Sequence, residues 1–494
     1  MVPRFRCLPL LVLALAIPLA AQTGALAEDS HRAKELMAAG RFADAVPLYE
    51  KILQAMPGNT GIRLNLALAL HFSGRDAQAI PHFEAVLKQQ PQAVPALMLL
   101  GASYLRTGSP AKAVPVLERG VKLVPRDPEG RAMLIDALLM LERYEAAVPH
   151  LRAMASAQPA DPKVWYGLGR AYEAIAQRSF ESLEKTAPGS PWWLYLAGEV
   201  RFKLGRNTAA FTLFRAALEK QPAFRGVHAA LAEIYRKTNH PEWAAVEDEL
   251  ERKLPAPACA TPAPECDFLK GRYQQALSAA LRRNTPQSLF WQSRAANELA
   301  RESFTRLSQL PPSVESHQIL AELYRNQGRH ADSIKEWRTA LELAPGDPRL
   351  QQELATSIYM SRDYSAAEKL VRELLAQDPR VAELQFILGD SLANQQRLED
   401  AVPVLEKALS LRPDYPAAHA VLGRALLQTG QARQAIPHLQ AGLSMDTDGS
   451  AYVQLSRAYR AIGEQKLAAD MIYKYQEIRK ALDSEGVAIT PPAR

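Results

Sequence analysis

Residues 94–127, VPALMLLGASYLRTGSPAKAVPVLERGVKLVPRD, decide the fold of this chain. The stretch holds two segments with helical apolar periodicity, separated by Thr107-Gly108-Ser109. The same pattern returns when the window moves by 34 residues in either direction. The recurrence is visible in three columns: Leu66, Leu100, Leu134 and Leu168; Ala45, Ala79, Ala113 and Ala147; and Pro57, Pro91, Pro125 and Pro159. Self-similarity at a fixed period of this length predicts a solenoid with one helix pair per repeat.

The repeat resembles the tetratricopeptide repeat at a defined set of positions. Those positions are Leu100-Gly101, Tyr104, Ala113, Leu117 and Pro125. In this repeat a large residue precedes Leu-Gly and an aromatic residue follows it. Trp165, Leu168, Gly169 and Tyr172 form a second copy of the pattern. The resemblance implies an all-α, right-handed superhelical solenoid of helix-turn-helix repeats. It also implies that the first helix of each pair lines a concave groove, where a protein or peptide partner binds.

Neither charge nor motifs indicate an enzyme or a nucleic-acid-binding protein. The formal net charge of +6 comes from 59 basic and 53 acidic side chains, which are spread evenly along the chain. The sequence has no glycine-rich phosphate loop, no Gly-x-Ser-x-Gly and no histidine pair with metal-ligand spacing. We therefore expect a protein without catalytic residues, cofactor or metal, whose repeats leave no room for a catalytic domain.

The first 27 residues predict export. Arg4 and Arg6 precede an apolar run from Leu8 to Ala20, and Ala25-Leu26-Ala27 forms a small-residue cleavage site. The run is shorter than a membrane span requires, which favours cleavage over an uncleaved anchor, the alternative that remains. Cys7 lies before the apolar run, which argues against a lipoprotein. The expected mature protein begins near Glu28, has no membrane span, and is periplasmic or extracellular.

Two cysteines remain after such a cleavage, Cys259 and Cys266, in a proline-rich stretch. An even number of cysteines in an exported protein favours a disulfide. Free thiols are the second possibility. A metal site is the third, and it lacks further ligands because no second cysteine pair and no nearby histidine accompany these two.

The repeat pattern divides the chain after the signal segment into four parts. Residues 28–159 hold four regular repeats, and residues 314–482 hold regular repeats that end in a polar capping helix. Between them, residues 160–313 are irregular, with a proline-rich, cysteine-containing connection and two long helices that each replace a helix pair. The two long segments align with each other at an offset of 124 residues. Residues 483–494 form a short tail with no packing signal.

The groove predicted from the resemblance is apolar in the early repeats and polar in the late ones. Its candidate partner-binding residues are Leu64, Leu68, Phe72, Met98, Leu105, Leu139 and Met140. Two interpretations stay open for them: exposure in a groove for an apolar or amphipathic segment, or burial between neighbouring repeats. The function expected first is a protein–protein interaction scaffold. The alternative is a periplasmic chaperone or assembly factor for an outer-membrane or polysaccharide-export machine.

Overall fold

The computed structural model describes residues 19–257, 259, 263–446, 448–484 and 489–492. Within these residues the secondary structure comprises 26 α-helices and one short 3-10 turn, with no strand. The predicted all-α solenoid of helix-turn-helix repeats is thus confirmed in its fold class. The chain divides between Pro159 and Ala160 into two compact units, called unit 1 and unit 2 below.

Unit 1 consists of successive helix pairs. Its helices are α1 (Leu19–Ala38), α2 (Phe42–Ala55), α3 (Thr60–Phe72), α4 (Asp76–Gln89), α5 (Val94–Arg106), α6 (Pro110–Leu123), α7 (Pro128–Met140) and α8 (Tyr144–Ala157). Each helix packs against the next one in the chain, and α5 also contacts both α3 and α7. The first helices of consecutive pairs therefore lie side by side on one face.

Short local signals set the ends of these helices. Gly108, between α5 and α6, adopts a φ of +69°, a left-handed conformation that costs glycine little. Asp127 caps α7 by accepting hydrogen bonds from the backbone N–H groups of Glu129 and Gly130. Pro128 occupies the first helical position, where its missing N–H would have had no partner.

A glycine on the first helix of several pairs makes room for a large side chain 16 residues later. A Cβ atom on Gly101 would lie 2.5 Å from Cγ of Leu117, and one on Gly389 would lie 2.6 Å from Cγ of Leu405. Gly198 with Phe214, and Gly423 with Leu439, repeat the arrangement. In each case the two helices approach closely, and the large side chain fills the space that a side chain on the glycine would take.

Unit 2 contains the remaining helices. They are α9 (Pro162–Thr186), α10 (Pro191–Lys203), α11 (Asn207–Lys220), α12 (Val227–Lys237), α13 (Pro241–Lys253), α14 (Pro264–Leu269), α15 (Tyr273–Ala280), α16 (Pro286–Ser308), α17 (Val314–Asn326), α18 (His330–Leu343), α19 (Pro348–Met360), α20 (Tyr364–Gln377), α21 (Ala382–Asn394), α22 (Leu398–Leu411), α23 (Pro416–Gln428), α24 (Ala432–Ala441), α25 (Ser450–Ala461) and α26 (Gln465–Ser484). From α17 onward the helix pairs are regular. The charged side chains of α26 from Lys466 to Lys480 are exposed.

The two long helices of unit 2 pack against each other. Helix α9 has 25 residues and α16 has 23. Gly169 lies beside Phe304, and Ser179 Oγ lies 3.2 Å from Gln292 Oε1, so the helices run antiparallel. Helices α10–α15 lie between these two helices in the sequence.

The C-terminal tail carries no packing signal in the sequence, yet Ile489 and Thr490 make contacts within unit 2. The side chain of Ile489 packs against an apolar cluster to which α9–α13, α15 and α16 contribute residues. The carbonyl oxygen of Thr490 accepts a hydrogen bond from the Tyr235 hydroxyl at 2.6 Å. The apolar periodicity that signals packing in a helix cannot detect a contact made by one side chain and one carbonyl.

The glycine positions predict that glycine-to-alanine substitutions lower stability at one site much more than at another. A Cβ on Gly423 would lie 2.8 Å from both the backbone nitrogen and Cγ of Leu439, so Gly423→Ala forces α23 and α24 apart. We expect the free energy of unfolding to fall by about 1–3 kcal/mol in urea titrations. Gly61→Ala is the control, because a Cβ there meets only Asn59 Oδ1 at 3.4 Å. Its change should stay below about 1 kcal/mol, and equal losses in the two variants would contradict the packing argument.

Candidate protein-binding face

Six of the seven predicted groove residues form an apolar strip on the first helices of unit 1. Phe72 on α3 is 49% exposed and Met140 on α7 is 56% exposed. The remaining four residues are half-buried: Leu64, Leu68, Leu105 and Leu139. Leu64, Leu68 and Phe72 are spaced by four residues and therefore share one face of α3. Because α3, α5 and α7 are neighbours, these six residues make one surface, called the apolar strip below.

Met98, the seventh predicted residue, does not belong to the strip. Its side chain is only 7% exposed. Its Sδ atom lies 2.8 Å from the place where a Cβ on Gly120 would be, and 2.7 Å from the equivalent place on Gly130. Met98 therefore fills the space that these two glycines leave on α6 and α7. Of the two interpretations left open by the sequence, burial between repeats holds for this residue.

A buried polar network fixes the α3–α5 part of this face. His71 Nδ1 lies 2.9 Å from Asp76 Oδ1 and 2.8 Å from Ser103 Oγ. The Arg106 guanidinium donates to the carbonyl oxygen of His71 and to Asp76 Oδ1, both at 2.6 Å. The ring of Phe72 lies 5.1 Å, between centroids, from both Phe42 and His71. The exposed Phe72 ring thus contacts His71, a buried member of this network, and the half-buried Phe42 on α2.

The charges in this network are set by burial and by Arg106. Burial, with the nearby Arg106 charge, lowers the pKa of His71, which favours a neutral ring. Burial acts against the charged form of Asp76, yet hydrogen bonds from Arg106 and Ser103 outweigh it and lower the pKa of that carboxyl. The sequence gives no signal for this network, because its members lie on three different helices and periodicity describes one helix at a time.

The corresponding face of unit 2 is polar, and its charged side chains pair with one another. Arg170 Nη1 lies 2.9 Å from a carboxylate oxygen of Glu322 and 3.0 Å from one of Glu173. Arg325 Nη1 donates to Glu353 at 2.6 Å. Burial raises the pKa of both Glu173 and Glu322, although the charge of Arg170 opposes the rise.

The pairing continues into the last repeats. The Tyr359 hydroxyl donates to Asp390 Oδ2 at 2.6 Å, and Arg424 Nη2 lies 3.2 Å from Asp390 Oδ1. Charges that are already matched within the protein add little affinity for a charged partner. The strip of unit 1, in contrast, presents apolar area in water, which is uncommon in monomers and favours binding.

Cys259 and Cys266 lie together in unit 2. Their Cα atoms are 5.7 Å apart, a separation that suits a disulfide. In the described part of the chain, no three histidine, cysteine, aspartate or glutamate side chains are grouped so that they could hold a metal ion. None of the described helices has both the length and the apolar composition needed to cross a bilayer.

The fold and its faces define a helical-repeat protein. Sequence models of the tetratricopeptide repeat match at residues 36–80, 73–134, 128–171, 174–223, 314–347, 353–416 and 392–459. The chain belongs to the tetratricopeptide repeat family, which confirms the resemblance seen in the sequence.

The individual proteins that this chain resembles match it only in part. The human protein O-mannosyl-transferase TMTC1 is 25% identical over 126 residues, which are 26% of this chain and 14% of that protein. A solved structure of MamA from Desulfovibrio magneticus RS-1 is 18% identical, covering 34% of this chain and 97% of its own, with a TM-score of 0.31. TTC0263, a thermophilic TPR protein in Thermus thermophilus, is 20% identical and covers 36% of this chain and 100% of its own, with a TM-score of 0.29.

Exposure and burial on this face predict different effects of the same substitution. Met98→Glu places a carboxylate in a packed space and should lower the free energy of unfolding by about 3 kcal/mol or more. Met140→Glu and Phe72→Glu place it in water and should change stability by no more than about 1 kcal/mol. Thermal and urea unfolding of the three variants measure the difference. A large loss of stability in all three would show that the strip is a buried interface between repeats.

Proposed function

We propose that this protein is a non-enzymatic scaffold whose apolar strip binds an apolar or amphipathic segment of another protein. The observation that carries the proposal is the exposure of Phe72 and Met140 beside half-buried leucines on three adjacent helices. Membership of the tetratricopeptide repeat family supports a protein partner. Such a surface suits the apolar face of a partner helix, or an extended segment with apolar side chains.

The composition of the strip favours a partner held by shape and apolar area. Leucine and methionine side chains adapt to different partner side chains, whereas the aromatic ring of Phe72 supplies a rigid anchor. The charge of Arg106, half exposed at its side chain, lies next to the strip and is already paired with Asp76. We infer that binding depends mainly on the burial of apolar area and only weakly on salt concentration.

We further propose that the protein is exported and that Cys259 and Cys266 form a disulfide. The 5.7 Å separation of their Cα atoms supports the bond, and an oxidising compartment would maintain it. We do not extend the mannosyl transfer named for the human relative to this chain, because the match spans 14% of that protein.

Site-specific photo-crosslinking tests the proposed function. A benzoylphenylalanine replaces Phe72 or Met140 in the purified protein, which is then irradiated with an envelope extract of the source organism. We expect one discrete adduct, identified by mass spectrometry. The additional change Leu68→Glu should reduce its yield by about tenfold, because a carboxylate enters the apolar interface.

The matched control places the same photo-reactive residue at Leu123 on α6, which is apolar and 40% exposed but lies off the strip. No adduct is expected there. Equal adducts from Leu123 and Phe72 would contradict the proposal, since they would reflect non-specific adsorption without a site. A broad set of unfolded clients at Phe72 would favour the chaperone alternative over a dedicated scaffold.

A further inference from the structure

The C-terminal tail makes a contact that its position in the sequence does not predict. Thr490 is 255 residues away from Tyr235, yet its carbonyl oxygen accepts the Tyr235 hydroxyl at 2.6 Å. The neighbouring Ile489 is partly buried against the apolar cluster to which Tyr235 belongs. Both contacts lie within unit 2.

The receptor for the tail is an aromatic group on three consecutive helices. Tyr235 on α12 has no exposed area. Its ring centroid lies 5.9 Å from that of Phe211 on α11 and 5.5 Å from that of Trp243 on α13. Burial raises the pKa of Tyr235 to about 12, so its hydroxyl stays protonated and able to donate at neutral pH.

The tail supplies the complementary groups. Ile489 contributes an aliphatic side chain and Thr490 a carbonyl acceptor, and Pro491-Pro492 follow. Prolines have no N–H and favour an extended polyproline conformation, so such a segment offers acceptors and apolar surface at low entropic cost. Aromatic surfaces with a hydrogen-bond donor are a common way to bind proline-rich segments.

Other tyrosines at the same place in their repeats have a different kind of partner. The hydroxyl of Tyr104 donates to Glu84, and that of Tyr172 donates to Gln274. The hydroxyl of Tyr459 accepts from Gln440. These partners are side chains of helices within the fold. Tyr235 instead pairs with the backbone of a segment outside the helices, which can leave the site without unfolding a helix.

We propose that the site centred on Tyr235 is a binding site for an extended segment of a partner protein, with an aliphatic residue followed by prolines. Ile489 and Thr490 of the tail occupy this site as an internal competitor. Because the tail is tethered, its effective concentration at the site is in the millimolar range. A partner must therefore displace the tail, and this inference stands independently of the apolar strip in unit 1.

A peptide of residues 485–494, EGVAITPPAR, labelled with fluorescein, is the probe. The full-length chain with Ile489→Glu weakens its own tail and opens the site. We expect fluorescence anisotropy to show that the peptide binds this variant at least about tenfold more tightly than it binds the wild-type chain. Adding Tyr235→Phe should weaken binding by roughly five- to tenfold, because one buried hydrogen bond is lost.

Two controls make the result specific. Tyr104→Phe, in the same Ile489→Glu background, removes an equivalent hydroxyl elsewhere and should leave peptide affinity unchanged. A peptide that carries Ile489→Glu itself should not bind. Equal affinity for the wild-type and Ile489→Glu chains, no binding to either, or indifference to Tyr235→Phe would each overturn the proposal and leave the tail as a structural staple.

Discussion

The packing of α9 against α16 is the constraint on which the arrangement of unit 2 depends. These helices come from separate parts of the chain, and Gly169 and Ser179 let them approach closely beside Phe304 and Gln292. Gln292 also donates to the carbonyl oxygen of Ala280 at 3.0 Å, which ties α15 to the same pair. Because α9 and α16 pack together, the segment α10–α15 that connects them begins and ends at this helix pair. The same segment contains the aromatic group that receives the tail.

The regular repeats also depend on small residues that allow two helices to pack closely. This packing determines which side of each first helix remains available as a surface. A glycine on the first helix accommodates a large side chain of the second, so this side of the first helix is committed to packing. The opposite side is free to vary. In unit 1 it carries apolar residues that nothing in the described chain covers fully, whereas in unit 2 it carries carboxylates and guanidinium groups that neutralise one another. The chemistry of this surface therefore differs between the regular repeats of the two units, although their helix pairs are alike.

Much of the fold was predictable because it repeats. The 34-residue period and the glycine and proline positions indicated the helix pairs. The two long segments that align at an offset of 124 residues indicated α9 and α16. Their mutual packing was not predictable, because periodicity describes one helix at a time. For the same reason the sequence placed Met98 with the strip: its burial depends on Gly120 and Gly130, on other helices. The tail contact escaped prediction because one carbonyl and one side chain leave no pattern.

The antiparallel pairing of α9 and α16 is tested most directly by cysteine crosslinking in the full-length chain. Ser179→Cys with Gln292→Cys places two thiols at positions where the native side chains lie 3.2 Å apart. Mild oxidation followed by peptide mass spectrometry should show a 179–292 linkage within one molecule. The pair Gln177→Cys with Gln292→Cys is the control, since Gln177 is exposed on the other side of α9 and should not link. A linear stack of repeats would separate residues 179 and 292 widely. Absence of their linkage in the folded chain would contradict this structure of unit 2.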